Sequence, residues 1–221
     1  MTEEGVYLQY GCGLSVGEGW RNFDNSMTLR LSRVPGLAPL VRLVGGVRFP
    51  DEVLYGDVCA GPLAPPGSCA GIYASHVLEH LTLEDFCTAL ANTFVMLRPG
   101  GVFRLIVPDL EALARVYTEL LDQNTDTANN DFLLGACLGE VSRPSGLVGR
   151  LRDIFSSNKH RWMWDWPSMK RELAAAGFID IRRCDYLDSG DPMFAAVEDE
   201  GRFVDPESGH RCLAVECRRP A

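Results

Sequence analysis

Short, dense apolar runs alternate along this chain with stretches of helical periodicity. Val6-Tyr7-Leu8, running on to Tyr10, predicts a first strand, and Asn22–Asp24 a second. After the Pro35-Gly36 breaker, Leu37–Val44 is apolar enough for a helix. Val53–Val58 reads as a third strand with a carboxylate, Asp57, at its end, and Gly71–Ser75 as a fourth. Leu83, Phe86, Leu90, Phe94 and Leu97 recur at helical spacing, so Leu83–Leu97 is a helix, stopped by Arg98-Pro99-Gly100-Gly101. Val102–Val107 is almost continuously apolar, as a strand buried on both faces must be. Asp109–Leu121 looks helical, Asp122–Asn130 is polar and turn-rich, and Leu133–Ile154 has no clear assignment. Pro167–Ala176 is a helix with proline in its first turn and Gly177 as its stop. Phe178–Cys184 and Cys212–Cys217 are the last strands. Strands that alternate with helices predict an α/β fold with parallel strands and right-handed crossovers.

Composition narrows the function. The 221 residues suffice for one full α/β domain, read as a single unit over 1–221. A net charge of −9 argues against a nucleic-acid partner, since binding to phosphates relies on Lys and Arg. A small molecule, or a neutral or cationic group, is the expected substrate. None of the eight cysteines forms a Cys-x-x-Cys pair, so they read as reduced core residues of a cytoplasmic protein. No stretch approaches the length of a membrane span.

The strongest chemical signal is Tyr10-Gly11-Cys12-Gly13, with Asp24 at the tip of the next strand. Gly-x-Gly after a strand lets the backbone turn sharply and approach a ligand. A carboxylate at the neighbouring strand end can accept from both ribose hydroxyls, although Asp24 and Asp57 could each be ordinary turn or cap residues. Gly13 to Asp24 spans about half of the ~20 residues usual in dinucleotide sites, so the first crossover helix is truncated or absent. That brevity disfavours a nicotinamide cofactor, which wants a helix N-terminus beneath its pyrophosphate.

Three further features bear on catalysis. His76-x-x-Glu79-His80 puts three ligand-type side chains one helical turn apart. A hard magnesium ion prefers oxygen to imidazole, so Glu79 and His80 are read as orienting the loop, and no metal is expected. His76 is either a general base or a residue lining the cofactor. Asp109 is either a base beside the acceptor or the N-cap of the next helix. In His160-Arg161-Trp162-Met163-Trp164-Asp165-Trp166, His160 and Arg161 are expected to face the site, with Trp162 and Trp166 mostly packing.

The series Tyr10-Gly11-Cys12-Gly13, Gly19-Trp20, Asp24, Ser75–Leu81, Leu97–Gly101 and Val107–Glu111 resembles the class I S-adenosylmethionine-dependent methyltransferases. Lys159–Met163 followed by Gly177-Phe178 is similar to the small predicted methyltransferases grouped as methyltransferase type 11. The resemblance implies a Rossmann-like three-layer sandwich whose seven-stranded sheet is mostly parallel, with an antiparallel last strand and a shortened first crossover. It implies S-adenosylmethionine as cofactor. Gly11 and Gly13 would lie under its methionine portion, flanked by Tyr10 and Cys12. Asp24, with Asn25 beside it, would hold the ribose. Asp57 and the Val58 amide would meet the adenine, with Ser75 and His76 at the end of the fourth strand. Gln9 stands where the pattern has an acidic residue; an amide can bond the cofactor ammonium without the charge.

The expected activity is therefore methyl transfer to an O, N or C centre of a small molecule, with His76, Asp109 and His160 as catalytic candidates. A non-catalytic S-adenosylmethionine-binding module and an NAD-type oxidoreductase are the alternatives. The long connection over about 112–166 is expected to form a lid or acceptor wall.

Overall fold

The computed structural model describes residues 5–36, 47–139, 141, 146, 159–204 and 209–221. Seven strands form one sheet: β1 (Val6–Tyr10), β2 (Trp20–Asp24), β3 (Val53–Tyr55), β4 (Cys69–Ser75), β5 (Leu97–Val107), β6 (Ile179–Arg183) and β7 (Leu213–Arg218). Their spatial order is β3-β2-β1-β4-β5-β7-β6. The pairs from β3 to β5 are parallel, and β7 runs antiparallel to both β5 and β6. This is the expected mostly parallel sheet with a reversed last strand.

Alternating residues divide two cores. Leu8, Tyr10, Phe23, Ile72, Ala74, Phe103, Leu105, Leu213 and Val215 pack on the first face. They meet Phe86, Ala89 and Leu90 of α2 (Leu83–Met96), and Met169 and Leu173 of α5 (Trp166–Ala175). Thr82 caps α2 by accepting from the Asp85 N–H, and Asp165 caps α5 with Pro167 in its first turn. The helix α2 gives way at once to β5, which begins at Leu97, before the expected Val102. Arg219 closes the helix end: its guanidinium donates to the carbonyls of Phe94, Val95 and Leu97.

The second face explains an unusual feature. Right-handed crossovers that step in opposite directions along a sheet lie on opposite faces. The β4–β5 connection places α2 on the first face, so a β1–β2 helix belongs on the second. As expected from its brevity, that connection (11–19) contains no helix. Its place is taken by the β6–β7 connection, which sends Met193, Phe194, Val197 and Phe203 back across β1, β4 and β5. Phe194 is fully buried against Trp20 and Tyr73. Burying such a side chain contributes about 1.5–3 kcal/mol.

Charge fastens this excursion. Arg104 in β5 is 1% exposed and bonds Glu216 at 2.8 Å, Asp188 at 3.1 Å and the Asp185 carbonyl at 2.9 Å. It also pairs with Glu198, whose Oε2 accepts from the Leu187 N–H. Arg182 bonds Glu216 and Asp188 from the edge strand. Burial pushes the Glu216 and Asp188 carboxyls up, but the two guanidiniums outweigh it and hold both below their ordinary values. Glu198 is raised, because burial dominates there.

Other differences are local. The predicted helix over Leu37–Val44 lies outside the described residues. A six-residue helix, α1 (Met27–Ser32), capped by Ser26, was not expected. The strand β3 ends at Tyr55, two residues before Asp57. The helix α3 (Leu110–Asp122) matches expectation, but α4 (Ala128–Gly135) occupies part of a stretch read as turn and unassigned. None of the eight cysteines is in a disulfide; Cys87 and Cys137 are exposed, so the reading of a wholly core set fails for these two. Among the described residues no helix is long and apolar enough to cross a membrane.

Arg104→Met should destabilise the protein by about 3–5 kcal/mol in chemical denaturation, because Glu198 is left buried without its guanidinium and Glu216 keeps only Arg182 and Ser189. Susceptibility to proteolysis should rise within 185–204. The depressed folded pKa values of Glu216 and Asp188 mean that their contribution is full above the ordinary carboxylate range of about 4 and is lost as pH falls through the folded values. The denaturation midpoint should therefore fall on acidification below about pH 4, and Glu216→Gln, weaker at neutral pH, should fall less.

Candidate functional site

At the carboxyl edge the strand order reverses between β1 and β4, and open α/β sheets bind ligands at such a switch point. A cleft of about 340 Å3, counting its open mouth, lies there. Gln9, Gly11, Ser15, Tyr73, Ser75 and Arg202 are among its lining residues. Gly11 and Gly13 both have positive φ, 64° and 56°. A Cβ on Gly11 would also stand 2.2 Å from Val77 Cγ2, so this position excludes every side chain.

The expected cofactor residues divide into ligand-facing and loop-holding groups. Gln9 is buried and its Nε2 donates to the Ser15 carbonyl and to Asn22 Oδ1. Asn22 Oδ1 also accepts from the Gly17 N–H, so the amide pair shapes the loop that replaces the first helix. Asp24 is 8% exposed; one oxygen accepts from Gly13 N–H at 3.0 Å and the other from Ser26 N–H at 2.8 Å. It therefore binds the glycine loop to the end of β2 and keeps further lone pairs for a ligand. Asn25 is exposed beside it.

Tyr10 and Cys12 line the cleft, but their side chains pack elsewhere. The Tyr10 hydroxyl lies 3.2 Å from Thr93 Oγ1 in α2, under the first face, and burial raises its pKa. Cys12 packs with Leu29, Phe49 and Val53, and burial pushes its thiol up to about 12. What both residues offer a ligand is main chain. Asp57 follows β3, beside Gly56, whose N–H donates to the Asp24 carbonyl. Asp57 Oδ1 accepts from Cys59 N–H, and the Val58 carbonyl accepts from Asn92.

Sequence reasoning missed the cleft's other wall. Val197, Asp199 and Arg202 come from the β6–β7 connection, some 120 residues from Ser75 in the chain, and no motif announces them. Tyr73 was a legible omission: it alternates with Ser75 on one face of β4. The Tyr73 hydroxyl and Ser75 Oγ are buried near one another, and neither has a well-formed hydrogen bond.

His76 leaves β4 in the left-handed region, φ 54°, strained for a residue with a side chain. Its Nε2 lies 2.9 Å from the Arg202 carbonyl and its Nδ1 3.5 Å from Glu79 Oε1. Burial pushes its pKa down, but Cys212, Glu79 and the Arg202 carbonyl prevail and lift it to about 10. That upward shift weighs against His76 as a general base and towards the cofactor-lining reading.

Asp109 is the N-cap of α3: Oδ1 accepts from Glu111 N–H, and Oδ2 lies 3.6 Å from Arg183. Both oxygens are engaged, and the structure favours the cap over the base. His160 turns inward to within 4.0 Å of Glu79, and burial lowers its pKa. Arg161 is exposed; its backbone, rather than its side chain, reaches inward, donating to the Glu79 carbonyl at 2.7 Å. Among the tryptophans, Trp164 is the buried one, stacked on Phe86 at 4.1 Å. Trp162 is 42% exposed, contrary to expectation, and it is Trp164, packed on Phe86, that fills the core.

No protein-family model matches the chain, and no curated protein does. Solved structures do. Phosphoethanolamine N-methyltransferase 2 of Haemonchus contortus, in complex with S-adenosyl-L-methionine, is 11% identical with a TM-score of 0.50, over 100% of this chain and 50% of that one. The 1,6-didemethyltoxoflavin-N1-methyltransferase of Burkholderia thailandensis is 17% identical with a TM-score of 0.47, over 98% and 72%. A SAM-dependent methyltransferase from Archaeoglobus fulgidus is 15% identical with a TM-score of 0.44, over 97% and 86%. At such identities the likeness is one of fold. With its strand order and its reversed last strand, the chain has the fold of the class I S-adenosylmethionine-dependent methyltransferases.

Proposed function

We propose that this protein transfers a methyl group from S-adenosylmethionine to an O, N or C centre of a small molecule. The cleft at the β1–β4 switch point carries the reading. Its residues fit the cofactor. Gly11 lines the cleft in a left-handed conformation packed against Val77, Asp24 is aligned at the end of β2 by two backbone N–H groups, and the buried hydroxyls of Tyr73 and Ser75 lack good partners. Gly11 and Gly13 would lie beneath the methionine portion, Asp24 would hold the ribose, and Asp57 with Val58 would meet the adenine. Bound there, the cofactor supplies an electrophilic methyl on a sulfonium.

The chain's own part is alignment. Orientation alone can supply much of the rate of a group transfer, so the reaction requires no general base from His76 or Asp109. The β6–β7 connection supplies one wall of the cleft through Val197, Asp199 and Arg202. The α3–α4 pair belongs to the long segment over about 112–166 that we assign as acceptor wall; 140, 142–145 and 147–158 of it lie outside the described residues. Free thiols suit a cytoplasmic setting, where they stay reduced.

Isothermal titration should show saturable binding of S-adenosylmethionine and none of NAD. Asp24→Ala should weaken the former by more than ~1 kcal/mol, the scale of a charge-assisted hydrogen bond. Unchanged affinity in a folded variant would remove Asp24 from the ribose site. His160→Ala should lower transfer in a labelled-methyl screen while cofactor affinity stays within about twofold, the mark of a defect on the acceptor side. Lost cofactor affinity with an intact circular-dichroism spectrum would place His160 in the cofactor pocket instead.

A further inference from the structure

Glu79 is the strangest residue beside the cleft. It sits in the 3-10 turn Leu78–His80 and is 1% exposed, yet neither carboxylate oxygen has a hydrogen bond. Its nearest donor is His76 Nδ1 at 3.5 Å, and a buried carboxylate met so loosely is costly. Imidazole nitrogens surround Oε1: His76 Nδ1 at 3.5 Å, His80 Nε2 at 3.9 Å and His160 Nε2 at 4.0 Å. These distances are too long for hydrogen bonds. They are close to what ligands of one metal ion require. With bonds of about 2.0–2.1 Å, tetrahedral ligand atoms stand roughly 3.4 Å apart.

We propose that Glu79, His80 and His160 form a site for one divalent transition ion of the zinc class. Ligand atoms of these three residues all lie within 4.8 Å of one another, so side-chain shifts on the order of an ångström would close the set. Two imidazoles and a carboxylate suit zinc or its first-row neighbours. The hardness that sets magnesium aside, its preference for oxygen, does not apply to these ions.

The surroundings are those of ligands held in place. His80 Nδ1 lies 3.1 Å from the Lys159 carbonyl, which fixes the tautomer that leaves Nε2 free to bind. The Glu79 carbonyl accepts from the N–H groups of Arg161 and Trp162, so the turn carrying two ligands is tied to the segment carrying the third. His76, outside the compact set, also faces Glu79 Oε1, at 3.5 Å.

Three protein ligands leave a coordination position open, the arrangement of catalytic rather than structural sites. The site adjoins the cleft through Val77, which packs over Gly11, and through His76, which meets the cleft residue Arg202. A hydroxyl bound at the open position would lose its proton more readily and become a better methyl acceptor. That role rests on the methyl-transfer reading; the ion site itself does not.

The test uses the full chain, stripped with a chelator and titrated with Zn2+ by calorimetry, without cofactor or acceptor. One equivalent should bind. His80→Asn and His160→Asn, each checked for fold by circular dichroism, should weaken it by at least about tenfold. Replacement by Co2+ should give a visible spectrum of nitrogen and oxygen ligation, without the charge-transfer band of thiolates. Failure to bind stoichiometrically, affinity unchanged in both histidine variants, or a thiolate band would each overturn the site, the last two by placing the ion elsewhere, on the free cysteines above all. Ion binding in a protein that transfers no methyl group would leave the site standing and sink the proposed function.

Discussion

Arg104 stands in the middle of β5, on the sheet face that has no helix from the first crossover, and the architecture of that face depends on how its charge is met. A guanidinium 1% exposed could not persist there alone, because the cost of desolvating a charge far exceeds what packing returns. Glu216 from the neighbouring strand and Glu198 and Asp188 from the β6–β7 connection surround it. The same contacts draw Phe194, Val197 and Phe203 over β4 and β5, where they complete a second apolar core. One ion network thus replaces a missing helix with a long, irregular connection. The substitution costs polar desolvation and yields a wall that a helix would not have supplied.

That wall determines the character of the site. In a doubly wound sheet the switch point opens a crevice whose base is strand ends and helix N-termini. Here no helix follows β1, so the loop after it is organised by side chains instead. Gln9 and Asn22 hold its far end, and Asp24 holds Gly13. The opposite side is Val197, Asp199 and Arg202. An amide at position 9 therefore makes physical sense: the position is filled by a loop-shaping donor, and an unpaired carboxylate in so buried a place would lack the N–H groups to satisfy it.

Much of this was legible from residue pattern. The continuous apolar run of β5, the alternation in β4 and the helical spacing of Phe86, Leu90 and Phe94 each reflect burial geometry that acts locally. The brevity of Gly13–Asp24 alone revealed that a helix was absent. The Trp162–Trp166 cluster was read less well, because which of several adjacent aromatics turns inward depends on the ring it meets, and Phe86 selected Trp164. Asp109 carried two meanings in sequence, and only the hydrogen bond from Glu111 N–H chose the cap.

By itself, then, the sequence determined the order of the seven strands and of the helices α2, α3 and α5, the glycine turn, and the carboxylate at the end of β2. These follow from rules that operate over a few residues: side-chain period, backbone steric limits, and capping. Tertiary structure alone decided what lies across a gap in the chain. It set Arg202 against His76, Glu198 against Arg104, and His160 beside Glu79, from 80 to more than 120 residues away in sequence. Such pairings depend on how crossovers stack layers and on which buried charge must find which partner, and no local period encodes them.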